Sequence, residues 1–560
     1  MTTKGTVGAL FGAVSAQALA SADSASSRRH RGGTLWAPFE FTACCLLIRG
    51  DVLVPLSSGK AESFWVATVA DSQTEHPPLP GDLEVDVAVV GAGIVGLSAA
   101  LLLQRAGRRV AVLEALQVGR QVTGRSTAKI TSQHGLIYRA LEKSFGEDGA
   151  RAYGAANEAG LAQIVRFTEE LGIDCDLERK AAYVYSRSGE QLAEIEKEVE
   201  AARRLGLPAS FVRECALPFA VAGAVRFDGQ AQFNPCKYLL GLAAAVRSAG
   251  GQVFEATRAR SIEHGEPCRI TTDQGVVTAR DVIDATHMPL VSEGKFFAKA
   301  YPYAHAAMAA RIAAARAPDG MFISAEQPTR SVRTARWGDE DWLVAVGGSF
   351  KPGHADEAKR MLQDLEDFLR GEFGVDSIDY SWTNEDYESM DGMPFVGRAS
   401  SSAMHLYVAT GFNAWGITNG TAAGMIVSDL IIGRSSPWAE VFDATRIKPL
   451  AGAKSFIAEN VGTGAQLVGG YVQGRGRSLD EVSAGEAAIL KLDGKRTAVF
   501  RDKGGRVHAV SAVCTHIGCV LGWNPVDRTW DCPCHGSRFA LDGTVIHGPA
   551  TTGLERMPVS

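Results

Sequence analysis

Val85-Asp86-Val87-Ala88-Val89-Val90-Gly91-Ala92-Gly93-Ile94-Val95-Gly96 decides the first fold question. Its opening half reads as a buried parallel strand, because apolar β-formers follow one another without the alternation of a half-exposed strand. Gly91, Gly93 and Gly96 then form a G-x-G-x-x-G turn opening a helix, Leu97–Arg105, whose free amides and dipole suit a pyrophosphate. Alone, that spacing is weak evidence. Here Gly107 and a second strand, Arg109–Leu113, lead to Glu114, eighteen residues past Gly96, where a carboxylate can accept both ribose hydroxyls. The context predicts a dinucleotide-binding α/β domain.

Working outward, the 560 residues are 46% hydrophobic and 21% charged, ordinary globular composition with room for two or three domains. A formal charge of −6 and no dense Lys/Arg run after residue 31 argue against nucleic acid as a partner. No uninterrupted apolar stretch of about 18 residues occurs, so no transmembrane segment is expected. Residues 1–58 carry Lys4, an apolar run Val7–Ala16, Ala18-Leu19-Ala20 and Arg28-Arg29-His30-Arg31. Gly and Ser dilute the run and the basic cluster follows it, so the segment reads as a disordered or mis-assigned extension. The protein is expected to be cytoplasmic, with export as the alternative.

Up to about residue 445, β-branched runs alternate with helical segments such as Gly189–Leu205 and Asn234–Ala249, a mixed α/β pattern that assigns 62–445 to one large unit. The Gly, Ala and Ser-rich segment 446–480 reads as a linker. From 481 to 560, short strands such as Ala487–Leu492 and Thr497–Phe500, separated by Asp-Gly and Gly-Gly turns, indicate a small all-β domain.

Ten cysteines are too few for a disulfide scaffold, yet Cys514, Cys519, Cys532 and Cys534 crowd into 21 positions. They sit in Cys514-Thr515-His516-Ile517-Gly518-Cys519 and Cys532-Pro533-Cys534-His535-Gly536-Ser537, so each loop offers thiols and an imidazole. Paired thiolates on one iron and paired imidazoles on the other make the Rieske [2Fe-2S] pattern; a mixed Cys/His zinc site is the alternative. The two loops, with Gly548-Pro549-Ala550 downstream, resemble the cluster-binding loops of Rieske domains. That resemblance implies Cys514 and Cys532 on one iron, His516 and His535 on the other, and a Cys519–Cys534 disulfide of the respiratory-complex type. It also implies a Ser537 hydroxyl directed at a bridging sulfide.

Thr123-Gly124-Arg125-Ser126-Thr127-Ala128 resembles the flavin-contacting loop of the D-amino-acid-oxidase-like (DAO) superfamily, which favours FAD over NAD. Similar matches continue through Gly251–Ala259, Val282-Ile283-Asp284-Ala285-Thr286, Asp391–Gly397, and Ala409-Thr410-Gly411-Phe412 leading by way of Gly416-Ile417-Thr418 into a helix, Thr421–Ile432. The implied FAD contacts are Gly91, Gly93, Gly96, Glu114, Arg125, Ser126, Thr127, Ala259, Thr286, Gly411, Phe412, Gly416, Ile417 and Thr418, with His134 a further candidate. The implied fold is a Rossmann-type FAD domain with an antiparallel-sheet substrate domain, followed by a small all-β Rieske domain.

The resemblance implies an oxidoreductase in which a small amine or amino-acid-like donor reduces the flavin. Single electrons would then pass through the cluster to an external acceptor, a protein or a quinone. Tyr301, Tyr303, His305, Arg330, Arg333 and Trp337 fall in the substrate-domain segment, and Arg330 or Arg333 is the candidate carboxylate anchor. No acid–base residue is assigned. A flavin fed by NAD(P)H is one alternative, with Gly347-Gly348 as its best glycine turn, and a non-enzymatic carrier or sensor is another. A Rieske oxygenase would need two His and a carboxylate on a separate iron, and the nearest histidines outside the cluster motif are His287 and His305.

Overall fold

The computed structural model describes residues 59–69, 76–447 and 477–558. The N-terminal extension and most of the expected linker lie outside the described residues. β1 (Leu83–Val90) is fully buried from Val87 onward and delivers the glycine turn to α1 (Ile94–Arg105), which begins three residues before the predicted start. α1 is apolar on nearly every side because it is covered on both: Leu97, Ala99, Ala100 and Leu103 are entirely inaccessible to solvent.

β1 lies between β2 (Val110–Leu113) and β3 (Val276–Asp284), all three parallel. Gln252–Phe254 and Leu406–Thr410 extend the sheet, also in parallel. The predicted adenine-side strand Gly251–Ala259 is two pieces. It breaks at Glu255, whose carboxylate accepts the amides of His76 and Val118, and at Ala256, which takes a left-handed φ of 47°.

A second sheet of nine strands is mostly antiparallel. Its core is β4 (Ala300–Arg311), flanked by β5 (Glu340–Phe350) and by β6 (Tyr380–Ser389). β4 and β6 pair with Tyr303 opposite Asp386 and His305 opposite Asn384, so these four side chains share one face. α2 (Gly416–Ile432), which starts five residues before the predicted helix, packs on α1 at glycine distance. A Cβ on Gly424 would lie 3.0–3.1 Å from atoms of Ser98, Ala99 and Val95, and one on Gly420 would meet Ile94 at 2.6 Å. These two glycines, one helical turn apart, set the close approach that brings the α2 N-terminus beside the α1 N-terminus.

The C-terminal domain has a three-stranded antiparallel sheet, Ala487–Leu492, Lys495–Arg501 and Val507–Ser511, and a four-stranded one from Gly522–Asn524 to Val545–His547. It packs directly against the nine-stranded sheet. A Cβ on Gly353 would lie 2.7 Å from the Asp531 carbonyl and 3.0 Å from the Cα of Gly522, so backbone meets backbone there.

Candidate functional site

The glycine turn builds a cleft through backbone geometry. Gly91 has φ +104°, and a side chain there would strike the Ala285 carbonyl at 2.6 Å; one on Gly96 would run into the Gly91 carbonyl. The carboxylate of Glu114 accepts the amides of Ala92 and Leu116, both at 2.9 Å. Burial pushes its pKa up, while those amides and Arg258 pull the other way. Gly91, Gly93, Glu114, Ser126, Thr127, Ala259, Thr286, Phe412, Gly416, Ile417 and Thr418 all line this one cleft. It offers a tight glycine cradle, a carboxylate at one end and the free amides of two helix N-termini, which is the donor set a dinucleotide requires.

Three residues of the predicted set do not line the cleft. Gly96 acts through packing, and Gly411, at φ +73°, sits against Ser389. Arg125 turns away: its guanidinium donates to the Thr383 carbonyl at 3.0 Å and to Asp527 of the C-terminal domain at 2.6 Å. The guanidinium of Arg125, a residue expected among the flavin contacts, is thus committed to a contact between domains.

The substrate candidates divide. Tyr303 and His305 stand on the sheet face shared with Asn384 and Asp386, and the last two line the cleft. Tyr301 occupies the same face two residues further along β4, opposite Glu388. Asn384 Oδ1 is buried with no hydrogen-bond partner among the described residues. Burial lowers the pKa of His305, opposed by Asp386. Arg330 is taken up by Asp364, with contacts of 2.6 and 3.2 Å. Arg333 is buried against Trp65 and donates to the carbonyls of Thr127, at 2.5 Å, and Phe233, at 2.7 Å. Neither arginine lines the cleft, so the carboxylate-anchor expectation is corrected: Arg333 braces the loop Thr123–Ala128 from behind. Trp337 packs on Phe64 and Trp342.

Lys129 was not anticipated. It follows the loop Thr123–Ala128 directly, lines the cleft, and donates from a buried Nζ to the Phe322 carbonyl at 2.8 Å and to Ser331 Oγ at 2.5 Å. Burial, helped by Arg333, lowers its pKa to about 7. A lysine directly after a glycine and hydroxyl-rich loop was the available signal. His134 also lines the cleft, stacked on Trp415 at 4.8 Å, with Nδ1 2.5 Å from the Tyr153 hydroxyl. Burial drives its pKa to about 3, so it is neutral. Gly347 and Gly348 lie inside β5 and pack under Leu365 and Met361, which removes the sequence candidate for a second nucleotide turn.

The second site lies between the two Cys/His loops. Cys519 and Cys534 form a disulfide, while Cys514 and Cys532 are reduced and buried. The sulfurs of Cys519, Cys532 and Cys534 lie within 4.8 Å of one another, but two of them are spent on the disulfide. The rings of His516 and His535 are 5.0 Å apart, and Nδ1 of each is buried without a partner among the described residues. Burial lowers both imidazoles, His535 to about 4, and a hydrogen bond from Cys532 draws the Cys514 thiol down to about 7. Two thiols and two neutral, unpartnered imidazole nitrogens fit a [2Fe-2S] cluster with mixed ligands. Ser537 Oγ accepts the Ala550 amide at 3.0 Å, tying the second loop to the third.

β6 separates the two sites. Its even residues Asn384 and Asp386 line the cleft. Its odd residues face the cluster domain. Tyr387 donates to the His535 carbonyl at 2.9 Å, Glu385 lies 3.7 Å from Arg538, and Thr383 donates to Asp527. Arg538 also pairs with Asp531 at 2.9 Å and Asp527 at 3.0 Å, making a buried charge cluster that joins the domains. Nearby, His287 Nδ1 lies 3.3 Å from His547 Nε2 and His287 Nε2 lies 3.2 Å from Asp386. The three form a continuous hydrogen-bonded chain with His287 in the middle.

Comparison with known proteins agrees with this geometry. A family model described as FAD dependent oxidoreductase (DAO) matches residues 86–430, and one described as Rieske [2Fe-2S] domain matches 477–558. YhfW of Bacillus subtilis (strain 168), whose name includes the words Rieske 2Fe-2S iron-sulfur protein, is 32% identical over 497 residues, 89% of this chain and 97% of that protein. Gamma-glutamylputrescine oxidoreductase of Escherichia coli (strain K12) is 28% identical over 400 residues, 68% of this chain and 91% of that protein. In fold, glycine oxidase from Geobacillus kaustophilus aligns with a TM-score of 0.55 at 19% identity, over 65% of this chain and all of that one.

Proposed function

Because the chain belongs to the DAO family of FAD dependent oxidoreductases and carries a C-terminal Rieske [2Fe-2S] domain, we propose that it oxidises a small amine or amino-acid-like donor. Electrons then pass singly through the cluster to an external acceptor. The observation that carries this reading is the alternation of β6: Asp386 lines the cleft, and its neighbour Tyr387 hydrogen-bonds the backbone of a cluster ligand. When bound, FAD takes electrons in pairs and the [2Fe-2S] cluster passes them one at a time.

The chain's own groups arrange the donor. The free amides at the start of α2 favour negative charge at the cleft. Asn384 and Asp386 line it, and Asn384 Oδ1 is a buried acceptor without a partner among the described residues, which suits the N–H groups of an amine. Lys129 Nζ is spent on the Phe322 carbonyl and Ser331 Oγ, neither of which lines the cleft, so it braces that wall rather than facing the donor. The name of the Escherichia coli relative supports an amine.

An anaerobic titration with candidate amines and amino acids, followed at flavin and cluster absorption bands, tests the reading. Both centres should bleach with one productive donor. Flavin bleaching while the cluster stays oxidised throughout would defeat the relay, and bleaching by NADH or NADPH alone would defeat the amine assignment.

A further inference from the structure

The cleft has a wall that no dinucleotide-binding motif accounts for. Ile546, His547, Gly548, Ala550 and Thr551, all of the C-terminal domain, line it together with the Rossmann residues. Arg258, whose charge bears on Glu114, lines the cleft with them. Arg258 donates to the Val545 carbonyl at 2.9 Å and Arg260 to the Thr551 carbonyl, while His547 meets His287 at 3.3 Å. Ser537 holds the same loop from the cluster side through the Ala550 amide. We propose that the C-terminal domain is itself part of the FAD site: loop Ile546–Thr551 closes over the ribose–pyrophosphate half of the dinucleotide, and FAD is retained only while the domain is docked.

Docking is secured away from the cleft. Asp527, which does not line it, accepts from Arg125, Arg538 and Thr383. Burial would raise the pKa of Asp527, but the two arginines outweigh it and hold the carboxyl ionised. Removing that carboxylate leaves the buried Arg538 and the half-buried Arg125 guanidiniums short of a partner and loosens the dock without touching a cleft residue. Linkage makes the effect reciprocal: a looser dock weakens FAD binding by the factor by which FAD loss weakens the dock.

The test uses the full-length holoprotein and the rate of FAD release, read as rising flavin fluorescence after dilution. Asp527→Ala should release FAD at least about tenfold faster than wild type, within the range usual for coupled sites. Asp364→Ala, at an ion pair on the outer face, should release it at the wild-type rate. The rhombic cluster EPR signal, retained in both, shows that the C-terminal domain is folded. In parallel, wild-type protein stripped of FAD and then reconstituted should gain amide-exchange protection across residues 545–551. Unchanged release from Asp527→Ala with its cluster intact overturns the proposal. So does exchange in 545–551 that ignores FAD, which also decides the matter if the variant does not fold.

Discussion

The flavin cleft and the cluster site lie on opposite faces of one strand and are built by opposite means. The cleft is a property of backbone: Gly91 and Gly96 leave no room for a Cβ, and helix ends supply the donors. The cluster site is a property of side chains: two thiols, two imidazoles and a disulfide, on loops that are otherwise short turns. Backbone sites should degrade by degrees, whereas ligand sites should fail outright.

Four measurements probe that contrast. Cys514→Ser should abolish the rhombic EPR signal altogether; a residual signal of wild-type shape would show that this thiol is not a ligand. Arg538→Met should leave the carboxylates of Asp527, Asp531 and Glu385 buried together. A loss of about 3–5 kcal/mol, read from denaturant unfolding, is the usual cost of breaking a buried charge set. Gly96→Ala should force the turn open at a cost of about 1–3 kcal/mol. That corresponds to FAD affinity lower by about fivefold to about 150-fold, measured by titrating apoprotein. An effect as absolute as that of Cys514→Ser would erase the contrast.

The smallest effect concerns Lys129, whose pKa falls from its usual 10.5 to about 7 in the fold. Between those values the unfolded chain holds a proton that the native state lacks, so stability rises with pH across that window and is lost as pH falls through about 7. Wild type should therefore gain thermal stability relative to Lys129→Met between pH 7 and pH 10. A difference independent of pH would mean that the amine stays charged in the fold.

The same contrast explains what could be read from sequence. Glycine spacing, the buried strand before it and Glu114 lie within 30 residues, so local pattern located the cleft. The Cys/His loops were legible for the same reason. The roles of Arg125, Arg330 and Arg333 are not legible in the sequence because an arginine's role depends on what stands opposite it. Asp527, Asp364 and the Phe233 carbonyl lie 402, 34 and 100 positions away. His287 and His547 meet across 260 positions, beyond any spacing rule. The two helices start earlier than expected because Ile94 and Gly416 look like turn residues until a neighbouring helix covers them.

The alternation of β6 has a consequence for how this chain tolerates change in length. Side chains along a strand repeat every two residues, so inserting one residue between Trp382 and Asn384 would exchange the two sets. Asp386 and Asn384 would be carried round to the cluster domain, and Tyr387 and Glu385 into the cleft. Loops at either end can lengthen freely, whereas the middle of this strand accepts insertions only in pairs. Among relatives that keep both centres, Tyr380–Ser389 should be the segment whose length does not vary.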